Sequence, residues 1–133
     1  MLVETDVLLA ALNSSDPVNE QALKILDQAP LLSPFSLLET SLLARAGKLE
    51  ISDYGDFWKD LGALLGTFSV EVLSDRTLYH SVARKFESRF KLTFFDSLHA
   101  AVSKVEGEIL ASFDHAYDRL KNEGVKRIDP SGP

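Results

Sequence analysis

The chain has 133 residues, 45% of them hydrophobic, which suits one domain with a sizeable core and excludes wholesale disorder. It has no cysteine, so disulfide frameworks, thiolate metal sites and thiol nucleophiles are excluded. Twenty acids against fourteen Lys and Arg give a formal charge of -6, a surface with little general attraction for phosphate backbones; any nucleic-acid contact needs a local basic patch or a bound cation.

In chain order, Leu2 to Leu9 reads as a buried strand running into a turn or helix start. Asn13 to Pro17 is a loop, and Asn19 to Ala29 carries Ala22, Leu23, Ile25 and Leu26 at helical spacing before Pro30 stops it. A short strand at Leu31 to Ser33 feeds a helix over Phe35 to Ala46, with Gly47 as its C-cap. Ser52 to Leu65 is helical and Gly66 is expected to end it; Phe68 to Leu73 alternates as a strand covered on one side or near an edge. Arg76 to Arg89 is a helix with Leu78, Val82, Ala83 and Phe86 as its apolar stripe. Thr93 offers an N-cap for a strongly apolar helix from Phe94 to Val105. Glu108 to Ser112 is a strand, Asp114 to Lys121 a helix capped by Gly124, and Val125 to Ile128 a last strand.

Strands separated by helical segments call for right-handed crossovers, giving a three-layer α/β/α sandwich over 1–133 with a mainly parallel central sheet of four or five strands. In such a sheet, functional groups collect beyond the carboxyl ends of the strands. No apolar run approaches the ~20 residues of a membrane helix, and the first ten residues lack the features of a secretory signal. A cytoplasmic protein with no membrane partner is therefore expected. The segment Phe57, Trp58, Leu61, Leu64, Leu65 and Phe68 holds more large apolar groups than one helix face needs, which leaves core and dimer surface both open.

Isolated acids interrupt the apolar runs: Glu4 and Asp6, Glu39, Asp96, and Asp114 after Phe113. A carboxylate beside core residues is expensive to desolvate, and several converging on one divalent cation is a common compensation. Glu4 and Asp6 are two apart, so on a strand they share one face; Asp6 also suits a cap for the Val7 to Leu12 turn. Glu39 sits in an apolar helix whose Ser36, Thr40 and Ser41 also allow a solvated stripe. Thr93 and Asp96 have capping-box spacing, and His99 lies one turn beyond, either as a proton shuttle or as a core histidine. Asp114 ends the strand containing Ser112 and also suits an N-cap. The basic cluster Arg84, Lys85, Arg89 and Lys91 reads either as a solvated face or as a substrate-guiding patch.

With these residues the chain resembles the PIN-domain ribonucleases, in particular the VapC-like toxins of toxin-antitoxin pairs. The resemblance rests on Glu4-Thr5-Asp6-Val7-Leu8, on Glu39 in Ser36-Leu37-Leu38-Glu39, on Thr93-Phe94-Phe95-Asp96-Ser97-Leu98-His99-Ala100-Ala101, and on Ser112-Phe113-Asp114. One position departs from the pattern: the family normally has Asp where this chain has Glu4, and Asn or Ser where it has Asp6. The resemblance implies metal-assisted hydrolysis of RNA, single-stranded or structured, with Mg2+ or Mn2+ held by Glu4, Asp6, Asp96 and Asp114, and Glu39 completing the acidic pocket. Thr5, Ser112 and His99 would orient these acids, and Arg84, Lys85, Arg89 and Lys91 would hold the substrate backbone. It also implies a homodimer and a cognate antitoxin. Two rival readings are a non-catalytic interaction module on the same scaffold and a metal phosphoesterase acting on DNA.

Overall fold

In the computed structural model, residues 1–132 are described. They form β1 (Leu2–Val3), α1 (Thr5–Leu12), α2 (Asn19–Leu26), β2 (Leu31–Leu32), α3 (Ser36–Arg45), α4 (Tyr54–Thr67), β3 (Glu71–Val72), α5 (Thr77–Phe90), α6 (Phe94–Glu106), β4 (Leu110–Ala111), a 3-10 helix (His115–Glu123) and β5 (Arg127–Ile128). The strands make one five-stranded sheet in the order β3-β2-β1-β4-β5, parallel throughout. No helix among the described residues is long and apolar enough to cross a membrane.

Register and alternation explain the two cores. Leu2 pairs with Leu110, while Val3 pairs with Leu32 on one side and Ala111 on the other. Successive strand residues point to opposite faces. Leu2 and Leu110 therefore enter a core with Tyr79, Phe86, Leu98 and Tyr117 from α5, α6 and the 3-10 helix. Val3, Leu32 and Ala111 enter a second core with Val7, Leu8, Leu26 and Leu61 from α1, α2 and α4. This two-sided burial is why the strands read as unbroken apolar runs.

The chain moves outward from β1 through β2 to β3, then returns through α5 and α6 to lay β4 against the other side of β1. The switch point is thus the carboxyl end of β1, flanked by β2 and β4. By register, Ser33, Glu4 and Ser112 are the next residues in that row. Hydrogen bonds continue past the strands there, from Glu4 N to Ala111 O at 3.1 Å and from Ser112 N to Ile128 O at 3.2 Å.

Several local expectations need correction. The first strand stops at Val3: Glu4 is the extended N-cap (φ -90°, ψ 162°) of a helix that already includes Thr5 and Asp6. Asp6 is therefore neither on a strand face nor a cap. Gly66 does not end α4, which runs on to Thr67; the reversal comes at Ser69, left-handed at φ 53°. That consumes the start of the expected Phe68 strand and leaves β3 as a two-residue edge. Gly47, at φ 71°, follows the Ala46 C-cap rather than being it. The helix after Asp114 is 3-10, with Tyr117 and Leu120 buried three residues apart, as that helix eclipses them. In α4, Leu61 is buried and Phe57, Trp58, Leu64 and Leu65 pack against the second core. Leu110 is fully buried between β1 and β5. Leu110→Ala is expected to lower the unfolding free energy by about 2–5 kcal/mol, read by urea denaturation; a loss under about 1 kcal/mol would mean that the core does not rest on β4.

Candidate active site at the end of the first strand

Glu4 follows β1 and is 4% exposed. Its Oε2 accepts from the Ser112 hydroxyl at 3.2 Å, and its Oε1 lies 3.6 Å from His99 Nε2. Asp6, one half-turn into α1, accepts through Oδ2 from the same hydroxyl at 3.0 Å and from the Phe113 amide at 2.9 Å. The two acids thus converge on Ser112 because a helix begins between them. Asp6 Oδ1 is buried and has no hydrogen-bond partner.

His99 is fully buried on α6 and stacks against Phe95. Its Nε2 lies 2.8 Å from Glu39 Oε1 and 3.3 Å from Thr5 Oγ1; its Nδ1 lies 2.8 Å from Ser33 Oγ. Ser33 Oγ also accepts from the Phe35 amide, so its own proton is free for Nδ1. Because a carboxylate only accepts, Nε2 carries a proton toward Glu39. Ser33 was not singled out from the sequence, although a polar residue ending β2 before Pro34, in register with Glu4, is a readable signal.

Asp96 lies in the first turn of α6, whose N-cap Thr93 accepts from the Asp96 amide at 3.3 Å. Its Oδ1 accepts from the Tyr117 hydroxyl at 3.1 Å. Tyr117 was also missed; its place three residues after Asp114 on a 3-10 turn carries it inward. Asp114 is exposed, and its Oδ1 caps the 3-10 helix by accepting from the Ala116 amide at 2.9 Å.

Electrostatics tie these acids together. Burial, then the charge of Asp6 and its hydrogen bond, then Glu39 and Asp96, push Glu4 well above its ordinary 4.5. Burial also raises Asp6, although the neighbouring Glu4 carboxyl and the hydrogen bonds from the Phe113 amide and Ser112 restrain it. Of the two, Glu4 is the one pushed further from its ordinary value. Asp96 is raised by burial against the pull of Thr93, with the Asp114 charge adding to the rise. For Glu39, burial acts upward but the hydrogen bond and charge of His99, with the Thr5 hydroxyl, overcome it, leaving the group lowered. Burial, then the charges of Glu4 and Asp96, drive Tyr117 well above its ordinary 10.0, so its hydroxyl remains a donor.

Ligand atoms of Glu4, Glu39 and His99 fall within 4.8 Å of one another. His99 is nonetheless a poor ligand as it stands, because both ring nitrogens are already engaged. Among the described residues, no three of Glu4, Asp6, Asp96 and Asp114 meet that distance; their chemistry is that of an all-oxygen set, the kind that suits Mg2+ or Mn2+. A cleft of about 550 Å³ opens from Asp6, floored by Leu9, Leu12 and Phe57 and rimmed by Asp16, Glu50 and Asp60 against Lys48.

The four basic residues of the α5 region do not form one patch. Arg84 pairs with Glu87 at 2.8 Å and borders a shallow pocket with Phe94 and Ser97 near the start of α6. Lys91 ends α5 in a left-handed conformation, two residues before the α6 cap. Lys85 and Arg89 instead line a groove with Lys104, about two helical turns along α6 from Asp96.

Because Glu4 holds its proton more tightly folded than unfolded, its contribution favours folding in acid, below 4.5, and is lost as pH rises through the raised folded value. Glu39, lowered, contributes in the opposite sense. Glu4→Gln is expected to raise the thermal midpoint of the metal-free protein at neutral pH, with the gain shrinking as pH falls below the ordinary glutamate range. A gain that is equal at neutral and acid pH would show that Glu4 is not ionising against its neighbours.

The profile of the PIN domain family matches residues 1–123. No curated protein matches the sequence. Among solved structures, the chain is similar to VapBC2 from Rickettsia felis, bound to a DNA fragment from its promoter, with a TM-score of 0.73 at 14% identity over 96% of each chain. A toxin-antitoxin complex from Klebsiella pneumoniae gives 0.67 at 12% identity, covering 99% of this chain and 98% of that one. FitAcB from Neisseria gonorrhoeae gives 0.63 at 17%, covering 98% and 97%. With a five-stranded parallel sheet between two helical layers and a family profile spanning nearly its whole length, this chain belongs to the PIN domain family.

Proposed function

We propose that the chain is a divalent-metal-dependent endoribonuclease, the toxin of a toxin-antitoxin pair, folded as one domain and acting in the cytoplasm as a homodimer. The observation that carries the reading is Asp6 Oδ1, a buried carboxylate oxygen without a partner, beside a Glu4 and within a cluster whose ionisation burial and repulsion oppose. A buried polar atom left unpaired is costly, and a cation would relieve both that cost and the repulsion.

The chemistry of these acids suits Mg2+ or Mn2+: Asp6 Oδ1 is unpartnered and Asp96 has one oxygen outside its bond to Tyr117. Glu4 would contribute as its carboxylate, and Asp114 at the exposed rim would act through water. A bound ion would polarise the phosphoryl oxygen and lower the pKa of an attacking water. Ser112 orients Glu4 and Asp6 through one hydroxyl. His99 holds Glu39 in place and keeps it ionised at the pocket wall. Because Asp6 Oδ1 is buried and unpartnered, Asp6 is proposed as the primary ligand of the two.

Single-stranded RNA fits best among nucleic acids, because a flexible backbone can bend into an acidic pocket and be held from outside it. We assign that role to Arg84 of α5, which borders a pocket with Phe94 and Ser97, and to Lys91 at the end of α5, ahead of Lys85 and Arg89, which line the groove with Lys104.

The cleft beyond Asp6 supports the antitoxin half of the reading. Its rim has Asp16, Glu50 and Asp60 against one lysine, over an apolar floor. That charge repels a phosphate chain and suits a protein segment carrying apolar residues and a cation. The similar structure from Klebsiella pneumoniae is a toxin-antitoxin complex, and a short basic segment of such a partner is the proposed occupant.

Purified protein is expected to cleave unstructured RNA with Mg2+ or Mn2+ and to stop in chelator. Asp96→Asn is expected to cost more than the ~10–100-fold that loss of a group supporting a metal ligand costs. Cleavage that persists in chelator would end the metal mechanism, and Mn2+ binding without cleavage of RNA or DNA would favour the interaction module. Co-expressed with the product of the neighbouring reading frame, the chain is expected to be retained as a complex that Asp60→Lys weakens; undiminished binding by that variant would remove the cleft from the interface.

A further inference from the structure

Tyr117 holds a position that the core alone does not require to be polar. It is 0% exposed and packs in the same core as Leu98, Ala101, Leu110 and Leu120. A phenyl ring would fill that volume, and a buried hydroxyl is a cost unless it is bonded. Its partner is Asp96 Oδ1 at 3.1 Å, on another helix and 21 residues away. At the backbone, the Asp96 amide is held by Thr93. With Tyr117 bonded to Oδ1, the Asp96 side chain is fixed at its second end as well, and its rotation about both side-chain torsions is restricted.

Hydrogen bonds to a ligating carboxylate set its orientation, and their loss lowers metal affinity. We propose that Tyr117 is a positioning residue: its buried hydroxyl clamps one oxygen of Asp96 and presents the other to the divalent cation of the acidic pocket. The inference rests on the reading of Asp96 as a metal ligand. A purely structural tyrosine would use its hydroxyl only to satisfy itself, and removing that hydroxyl would change stability without changing metal affinity.

The test is calorimetric titration of the full chain with Mn2+ alone, for wild type, Tyr117→Phe, Asp96→Asn and the double variant, with thermal midpoints measured in chelator. Tyr117→Phe is expected to weaken Mn2+ binding about tenfold or more while its metal-free midpoint stays near that of wild type. In the Asp96→Asn background the same change is expected to cost no further affinity. If Tyr117→Phe binds Mn2+ as tightly as wild type while Asp96→Asn loses it, the clamp is overturned and the metal reading stands. If Asp96→Asn binds as wild type does, the metal reading falls and the clamp falls with it. Should Tyr117→Phe not fold, wild type still decides: the Tyr117 hydroxyl proton is expected as a slowly exchanging NMR signal that shifts on Mg2+ addition, and its indifference to saturating Mg2+ overturns the clamp.

Discussion

The structure depends on one electrostatic constraint, the crowding of ionisable oxygens where β1 ends. Two unit charges ~4 Å apart interact by about 4 kcal/mol at an effective dielectric near 20, so several carboxylates in a half-buried pocket would outweigh a typical net stability of ~5–15 kcal/mol if none were compensated. The chain compensates by giving each acid a different state. Glu4 is raised well above its ordinary value, Asp6 accepts from Ser112 and the Phe113 amide, Glu39 is lowered beside His99, and Asp96 accepts from Tyr117. Asp6 Oδ1 is what remains uncompensated.

That distribution is a consequence of topology. A parallel sheet entered at β1 and extended in both directions brings the ends of β2 and β4 beside Glu4, so Ser33 and Ser112 lie on either side of it. α6 then delivers His99 and Asp96 from above the same edge, its N-terminal turn favouring a carboxylate through the helix dipole. α3 supplies Glu39 from the opposite layer. The pocket is thus made by five separate segments that share nothing in sequence except a polar residue at the end of an apolar run.

The same arrangement separates stability from function. Ionised acids at the pocket work against folding in the absence of a counter-charge, whereas two cores, one on each sheet face, supply the apolar burial that tolerates them. Glu4 reaches the Ser112 hydroxyl and comes within 3.6 Å of His99, while Asp6 keeps an unbonded oxygen.

The sequence alone determined the sheet class, the order of helices and strands, and the acids that interrupt apolar runs, because alternation, helical spacing and the cost of burying a carboxylate are local and repeat along the chain. Glu4, Asp6, Glu39 and Asp96 stand out in the sequence for that reason, and the Thr93 cap and the Gly124 stop were legible in it. Only the tertiary structure decided that a helix starts between Glu4 and Asp6, that His99 is spent on Glu39 and Ser33, that Tyr117 holds Asp96, and that Lys85 and Arg89 lie away from the pocket. Those outcomes depend on which distant segments become neighbours across a parallel sheet, and a hydrogen bond between residues 94 or 106 positions apart, such as Thr5 to His99 or Asp6 to Ser112, leaves no periodicity to read.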